Sequence, residues 1–265
     1  MEAITGDETG LIKLLDLSKN QYYTYGEQSR SLAVESLSWV DLDGGDADVL
    51  VRAFAAMRCN GSLEAWKYEP GALTKMCAKT DPDLDGHHSK TVQLQRADDS
   101  STVLSVSATG RVALNKLRTT ATSSPSSSSS SSSSTLWSWQ QTATFQVRGP
   151  VSACATCLGA AAVGGRENDV MLYDLRTHQP VWEAKNVPYD SLRMRVPVWV
   201  TALAFVQPAV HTAADALLVT GTGHKHVRLY DVKAGQQPVL SLDTNPHTRF
   251  NRNAHPLPNP YAYYF

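Results

Sequence analysis

The chain has 265 residues and, with 24 basic and 25 acidic side chains, a formal net charge of -1, which excludes a general affinity for polyanions based on net charge. Four cysteines are too few for the disulfide framework of a small secreted domain, and neither a secretory signal nor an apolar run of about 18 residues is present. The sequence therefore predicts a soluble, intracellular protein with reduced thiols.

A weak repeat occurs five times along the chain. Each copy starts with turn residues, often glycine, continues with alternating apolar and polar residues, and tends to end before Asp or Lys. The five copies are Thr9–Leu17, Asn60–Tyr68, Thr109–Leu117, Asn168–Arg176 and Lys225–Lys233. Because the side chains of a strand point to opposite faces in turn, this period of two predicts a half-buried β-strand in each copy.

The spacing of the copies indicates how much structure belongs to each. Their equivalent apolar positions are Ile12, Leu63, Val112, Val170 and Val227, which are 51, 49, 58 and 57 residues apart. The third interval contains the Ser-rich stretch Thr122–Thr135, and 44 residues remain without its 14. These intervals are close to the roughly 40–45 residues of a four-stranded WD-repeat blade. The sequence thus predicts an all-β, WD-repeat β-propeller, with unrelated hairpins of a sandwich as the alternative.

The segments between the copies predict the other strands of each blade. Val34–Val40 and Val200–Val206 alternate as inner strands would. Runs of small residues at 155–165 and 216–223 each predict one strand ahead of the fourth and fifth copies. Gln179–Ala184 and Gln237–Leu242 predict short outer strands.

Two parts of the chain fall outside the repeat. The Ser-rich insertion, at about residues 119–136, cannot bury a core and is expected to be a disordered surface loop. Propeller repeats are expected over residues 1–243, and an irregular tail with four prolines over residues 244–265. Five copies predict about five blades, and hence an incomplete ring from a truncated form or fragment, less stable than a complete ring.

Few residues suggest catalysis or metal binding. Cys154 and Cys157 have the spacing of half a zinc site or of a redox pair, but no second half follows, so buried apolar roles are expected. The run 81–88 has several Asp and His residues but lacks the closing glutamate of a calcium loop, which favours a polar turn. Phosphate-loop spacing and an assignable nucleophile–base pair are both missing. The sequence predicts no enzyme, cofactor, metal or small-molecule substrate.

Polar residues beside the fourth and fifth copies are the candidate partner-binding residues. They flank predicted strands, so we expect them in loops at the rim of the propeller, where rigid scaffolds commonly bind partners. The candidates are Arg166, Glu167, Asn168, Asp169, Lys185, Asn186, Arg193, Arg195, His224 and Arg228. An ordinary solvated rim is the alternative for each of them. Trp199 lies in an alternating run and is expected in the core.

Longer stretches of the sequence resemble one family of WD-repeat proteins. The resemblance covers about residues 5–243; it is strong after residue 160 and weak between 70 and 150. The segments that carry it are Thr5–Leu17, Gly165–Asp169, Ala184–Pro188, Arg195–Thr201 and Thr220–Asp231. In these segments the chain is similar to the WD repeat-containing protein 74 family of ribosome-biogenesis factors.

This resemblance implies a seven-bladed propeller that acts as a non-enzymatic scaffold in the nucleus and nucleolus. It would take part in biogenesis of the large (60S) ribosomal subunit and in processing of precursor rRNA. The implied partners are pre-60S assembly factors and a nuclear AAA-type ATPase. Contact with precursor rRNA is compatible with this role, and no membrane is implied. The chain departs from the family in having five repeat copies and no basic tail.

Two other functions are compatible with a propeller. An adaptor of a ubiquitin ligase or of a chromatin complex would use the same kind of rim surface. A propeller hydrolase would instead place acidic residues or histidines in the central channel. The predicted inner strands contain a single acidic residue, Glu35, which favours the scaffold over the hydrolase.

Overall fold

The chain folds into β-sheets that follow one another along the sequence. The computed structural model describes residues 1–42, 51–80, 90–97, 101–120, 136–157, 159–189, 192–206 and 216–244. Within these ranges the regular structure consists of β-strands and one short 3-10 helix, Arg30–Leu32. The all-β prediction is confirmed. In the described part of the chain, no helix has the length and apolar character needed to cross a membrane.

Each sheet is an antiparallel meander built from consecutive strands. Sheet 1 contains β1 (Glu2–Gly6), β2 (Ile12–Asp16) and β3 (Gln21–Tyr25). Sheet 2 contains β4 (Val34–Leu42), β5 (Val51–Arg58), β6 (Ser62–Glu69) and β7 (Ala72–Thr80). Sheet 3 contains β8 (Thr91–Arg96), β9 (Thr102–Ser107), β10 (Arg111–Thr120) and β11 (Leu136–Gln146). Sheet 4 contains β12 (Ala153–Cys157), β13 (Ala160–Gly165), β14 (Asn168–Asp174) and β15 (Pro180–Glu183). Sheet 5 contains β16 (Val200–Val206), β17 (Leu217–Thr222), β18 (His226–Asp231) and β19 (Leu240–Asp243).

The first strands of sheets 2 to 5 line the inner side of the arrangement. β4 packs beside β8, β8 beside β12, and β12 beside β16. Each four-stranded sheet then runs outward from its first strand to its fourth. This is the layout of propeller blades around a common axis, and the five described sheets form an arc rather than a closed ring. The prediction of an incomplete propeller with about five blades is therefore confirmed.

The hydrophobic core is divided among the interfaces between successive sheets. One cluster lies between sheets 1 and 2, the next between sheets 2 and 3, and two more between the following pairs. A strand in the middle of the row is thus covered on both faces, and every described residue of β9 and β13 is buried. Leu104 in β9 and Leu172 in β14 are fully buried examples from two of these interfaces.

The five repeat copies occupy equivalent strands. Val170 in β14 and Val227 in β18 lie on the third strand of their sheets, as the repeat predicts. An aspartate ends β2, β14 and β18 alike, at Asp16, Asp174 and Asp231. In each case its Oδ1 accepts a hydrogen bond from the backbone N–H two residues later, at 3.0, 2.8 and 3.0 Å. This is an Asx turn, which satisfies backbone donors where the chain reverses into the outer strand.

Sheet 1 has one described strand fewer than the others. Because β2 is equivalent to the third strands of sheets 4 and 5, β1 and β3 take the second and fourth positions, and the first position has no described strand. A cavity of about 380 Å³ lies beside β1, and Ile4, Leu37, Trp39 and Phe54 are among its lining residues. Half of the Trp39 surface is exposed there.

A buried ion pair joins sheets 1 and 2. The Arg58 guanidinium donates to the Glu64 carboxylate through Nε and Nη2, at 2.9 and 2.7 Å. Its Nη1 donates to the carbonyl oxygens of Gly10 in sheet 1 and Leu32, at 2.6 and 2.8 Å. Trp66 Nε1 and Lys75 Nζ also donate to Glu64. Each nitrogen of the guanidinium and both oxygens of the carboxylate therefore have a partner, as a buried pair requires.

One strand prediction needs correction. The run 155–165 was expected to form one strand, whereas it contributes to two, β12 and β13, which pair antiparallel around Gly159. Gly159 has φ +74°, a left-handed conformation that glycine adopts without strain. On either side of the Ser-rich insertion expected at about residues 119–136, β10 continues to Thr120 and β11 begins at Leu136. Residues 121–135, the polar run 81–88 and the predicted tail beyond residue 244 lie outside the described residues.

Candidate partner-binding surface

Three segments of sheets 4 and 5 meet at one rim of the propeller. They are the turn at Arg166 and Glu167 between β13 and β14, the connection from β15 to β16, and the turn at 223–225 between β17 and β18. Arg166 and Trp199 form an isolated antiparallel bridge, which ties the first segment to the second. The Gly223 amide donates to the Trp199 carbonyl at 2.9 Å, which ties the third segment to the second. We call the group Arg166, Glu167, Arg195, Trp199, His224 and Lys225 the Trp199 surface.

Trp199 is the aromatic centre of this surface. Its ring lies so close to Gly223 that a Cβ added there would collide with it. The Arg166 Cζ is 5.8 Å from the ring centroid, and the His224 ring stands edge-on at a centroid distance of 6.0 Å. The residue is nevertheless 40 % exposed, so its expected place in the core is wrong. Because Trp199 precedes β16 at the rim, the sheet interface does not cover it.

Charged residues at the Trp199 surface occupy backbone conformations that favour glycine. Lys225 has φ +62°, whereas the equivalent turn position in sheets 1, 2 and 3 is glycine, at Gly10, Gly61 and Gly110, with φ between +76° and +94°. Glu167, in the neighbouring turn, has φ +53°. A left-handed conformation costs a residue with a Cβ about 1–2 kcal/mol, and such strain is concentrated at functional sites. The two charges are therefore held at the rim at the expense of backbone strain.

The Trp199 surface carries an excess of positive charge. Arg166, Arg195 and Lys225 are cationic, Glu167 is the one anionic member, and Arg193 lies two residues before Arg195. Arg195 Nη1 is 3.0 Å from Glu167 Oε2, and both side chains are more than half exposed. An exposed pair of this kind contributes at most about 1 kcal/mol to stability. It orients the two side chains at the rim more than it stabilises the fold.

Two of the candidate residues are buried and belong to the framework behind the surface. Asn168, 1 % exposed, is the first residue of β14, and its Nδ2 donates to the carbonyl oxygens of Arg148 and Pro150. Arg228, 4 % exposed, lies within β18, and its Nη1 donates to Asn186 Oδ1 at 3.3 Å. The expectation that these candidates lie in rim loops is wrong for both. In a propeller both faces of a strand can be covered, so a position between apolar neighbours is not necessarily solvated.

Asn186 fixes the start of the connection from β15 to β16. Its Nδ2 donates to the Val196 carbonyl at 2.6 Å, and its Oδ1 accepts from the Val187 amide at 2.9 Å. The Lys185 amide donates to the Gln236 carbonyl at 2.8 Å. The bond to Gln236 holds the start of the connection against sheet 5, and the bond to Val196 joins its beginning to its end.

Asp169 lines a second, smaller feature near this rim. It borders a cavity of about 290 Å³ together with Glu183, Ala184, Lys185, Asn186 and Gln236. Burial raises the pKa of Asp169 above its ordinary value, although the charges of Arg195, Arg148 and Arg228 oppose this. The cavity has acidic and basic residues side by side and no nucleophile–base pair among its lining residues. Within the described ranges, no cluster of three metal-ligating side chains is found either.

The two closely spaced cysteines are held apart by the strand that contains them. Cys154 and Cys157 are three residues apart in β12, so their side chains point to opposite faces of the sheet. Burial raises the pKa of the Cys154 thiol to about 12, which keeps it protonated. Neither cysteine takes part in a disulfide bond. The geometry therefore excludes joint coordination of one metal ion by this pair.

Comparisons with known proteins connect the fold to a group of named relatives. No family model matches the chain. Ribosome biogenesis protein nsa1 of Schizosaccharomyces pombe is 27 % identical over 92 % of the chain and 65 % of that protein. Ribosome biogenesis protein NSA1 of Eremothecium gossypii is 38 % identical over 39 % of the chain and 27 % of that protein. Human WD repeat-containing protein 74 is 41 % identical over 30 % of the chain and 20 % of that protein.

The chain is a homologue of these proteins. The resemblance to the WD repeat-containing protein 74 family is thereby confirmed, and the NSA1 proteins of yeasts belong to the same set of relatives. The chain spans less than two thirds of the length of each of the three relatives. The names of these homologues describe ribosome biogenesis proteins and WD-repeat proteins, and they do not favour a ubiquitin ligase or chromatin adaptor.

A solved structure supports the fold of this chain independently of sequence. The structure of U3-55K superposes with a TM-score of 0.55 over 89 % of this chain and 61 % of that chain, at 16 % identity. At this identity the likeness concerns the architecture alone.

Sequence reasoning identified most members of the Trp199 surface and missed its centre. Trp199 continues the alternation of β16, which predicts a position in the core. Lys225 stands out in the sequence as part of a basic cluster with His224 and Arg228, but that cluster does not indicate that the lysine replaces a glycine. The signal for Lys225 was present, since the aligned copies have glycine at Gly10, Gly61 and Gly110. The exposure of Trp199 depends on the contact with Gly223 from another strand, which no local pattern reveals.

Proposed function

We propose that the chain acts as a non-enzymatic scaffold in biogenesis of the large (60S) ribosomal subunit, in the nucleus and nucleolus. Its partners would be assembly factors of pre-60S particles, including a nuclear AAA-type ATPase. The observation that carries the proposal is homology to proteins named for ribosome biogenesis, which extends over 92 % of the chain in one relative. Propellers of this kind bind partners through rim loops held by a rigid framework.

The Trp199 surface is the proposed contact with the precursor particle. Its exposed aromatic ring, arginines and neighbouring exposed residues Tyr189, Leu192 and Met194 match the composition of protein interfaces, which are enriched in aromatic residues, Met and Arg. Arg193 also has a left-handed backbone, at φ +59°. The framework bonds of Asn186 and Lys185 would keep the surface in place without a partner, which lowers the entropic cost of binding.

Charge reversal at Arg193 and Arg195 tests this contact. The double change Arg193→Glu and Arg195→Glu should remove most of the pre-large-subunit particles that co-purify with the chain, because it replaces two exposed cations with anions. The measurement is affinity purification from cells followed by quantitative mass spectrometry. Circular dichroism should be unchanged, since the Arg195–Glu167 pair is exposed.

Two other exposed arginines provide the matched control. Arg52 in β5 and Arg118 in β10 are exposed and lie on sheets 2 and 3. Arg52→Glu with Arg118→Glu makes the same change of net charge and should leave co-purification intact. An equal loss of co-purifying particles in both double variants would mean that the effect comes from net charge alone. Unaltered association of the Arg193→Glu and Arg195→Glu variant would show that the Trp199 surface is not part of the interface. Failure of the unmodified chain to associate with any precursor particle would refute the scaffold role.

A further inference from the structure

The Trp199 surface combines features that suit a nucleic acid strand better than a generic partner. One aromatic ring is exposed and braced from behind by the Gly223 backbone. A guanidinium and an imidazole lie 5.8 and 6.0 Å from it, so the ring is surrounded by groups that stack and donate hydrogen bonds. Proteins that bind single strands combine a positive track for the phosphates with aromatic rings on which bases stack.

The positive charge is local, which matters for the kind of partner. The whole chain is close to neutral, with a net charge of -1. The Trp199 surface and Arg193 together contain four cations and one anion, Glu167, and the half-buried Asp169 lies close enough to interact with Arg195. Two of these cations, Arg193 and Lys225, are on backbones with φ +59° and +62°. Strained backbone is concentrated at functional sites, which supports a binding role for this rim, and the excess of cations favours an anionic ligand.

We infer that the Trp199 surface binds single-stranded RNA, with a base stacked on the Trp199–Arg166 pair and phosphates near Arg193, Arg195 and Lys225. This inference deepens the proposed function, because it names RNA as the partner class of the proposed contact. Single-stranded RNA fits better than duplex, since a paired base does not present its face to an aromatic side chain. The Glu167 carboxylate, which pairs with Arg195, limits the cationic track on its side.

Lys225→Gly separates the binding role of the lysine from its structural role. Glycine is the residue that sheets 1, 2 and 3 have at this turn position, and it accepts φ +62° without strain. The melting temperature of the variant should therefore equal or exceed that of the unmodified chain. RNA affinity should fall by about fourfold at 0.15 M salt, as expected from loss of one phosphate contact. A residue with only a structural role would not give these opposite effects.

Trp199→Ala tests the stacking contribution. Loss of a stacked base should weaken binding by about tenfold, and Trp199→Phe should retain most of the affinity. The matched control is Trp39→Ala, because Trp39 is also about half exposed but lies on sheet 2, away from this surface. Trp39→Ala should leave RNA affinity unchanged.

The experiment is fluorescence anisotropy of the full chain with a fluorescein-labelled single-stranded RNA of about 12 nucleotides, a typical length for such sites. Affinity is measured at several salt concentrations, beside the matching RNA duplex and a polyglutamate peptide. The slope of log affinity against log salt should decrease by about 0.7 in Lys225→Gly and stay constant in Trp199→Ala. Tighter binding of the single strand than of the other two probes supports the inference.

Three results would overturn it. One is no saturable binding of the single strand by the unmodified chain. Another is equal loss of affinity in Trp39→Ala and Trp199→Ala. A third is binding of polyglutamate as tight as that of RNA and equally sensitive to Lys225→Gly, which would assign the surface to an acidic protein. Co-purification with precursor particles that persists without RNA binding would refute this inference alone and leave the scaffold role standing.

Discussion

Replacing Glu64 with glutamine should lower the free energy of unfolding by about 3 kcal/mol, the lower end of the range for breaking a buried ion pair. Arg58 is 2 % exposed, and four of its hydrogen bonds converge on Glu64 and on the carbonyls of Gly10 and Leu32. A neutral amide leaves the guanidinium charge buried without its counter-ion. Urea unfolding followed by circular dichroism measures the change.

Glu69→Gln is the matched control for this prediction. Glu69 is on the same strand, β6, and pairs with Lys67 at 2.6 Å, but both side chains are at least 40 % exposed. The same substitution there should change the free energy of unfolding by less than about 1 kcal/mol. Similar effects at the two positions would mean that the Arg58–Glu64 pair does not stabilise the junction of sheets 1 and 2.

The contribution of Glu64 should also depend on pH. Burial by itself would raise the pKa of this carboxyl, but hydrogen bonds from Lys75, Arg58 and Trp66 outweigh it and lower the pKa from its ordinary 4.5. A carboxyl with a lowered pKa stabilises the folded state above its unfolded pKa, and the stabilisation is lost as the pH falls through the folded value. The stability difference between the unmodified chain and Glu64→Gln should therefore be full at pH 6 and shrink below about pH 4.5. A difference that stays constant down to pH 3 would contradict the charged state assigned to Glu64.

Leu172→Ala should destabilise the chain by about 3 kcal/mol or more, since it removes a fully buried side chain between sheets 4 and 5. The loss combines less apolar burial with a cavity that the surrounding β-strands cannot fill. Leu240→Ala, in the outer strand β19, is the control, because Leu240 is 44 % exposed. Its effect should stay within about 0.5 kcal/mol. Thermal and urea unfolding of the two variants provide the comparison, and comparable losses at both positions would contradict the assignment of Leu172 to an inter-sheet core.

The alternation of apolar and polar residues was sufficient to predict several strands and their equivalence. Val34–Val40 falls within β4, and Val200–Val206 coincides with β16. The prediction of one strand over 155–165 was wrong because alanines and glycines provide no contrast between the two faces of a strand. The turn at Gly159 therefore does not interrupt any visible pattern. Small residues are suitable there because the neighbouring sheets approach both faces closely, and Gly164 and Val200 are one such contact.

The rim was harder to predict than the strands. The sequence predicts Arg228 in a rim loop, as one of the polar residues beside the repeat copies. In the structure Arg228 and Tyr230 share the face that packs toward sheet 4, while Val227 and Leu229 are only half buried. A strand between two sheets has two inward faces, so its alternation does not specify which face the next sheet covers. Trp199 shows the opposite difference: the sequence predicts it in the core, but it is exposed. Its exposure depends on contacts made by other segments.

The division of the core into separate interfaces has a consequence for how binding affects the rest of the chain. Each sheet packs on its neighbours in the sequence, so the stability of the row is close to a sum of local and nearest-neighbour contributions. The Trp199 surface spans the boundary of sheets 4 and 5, because the bridge of Arg166 with Trp199 crosses it. A ligand bound there would contact sheets 4 and 5 together, across the interface between them. We expect such a ligand to strengthen the attachment of sheet 5 to sheet 4 and to leave the Arg58–Glu64 pair, at the junction of sheets 1 and 2, unaffected.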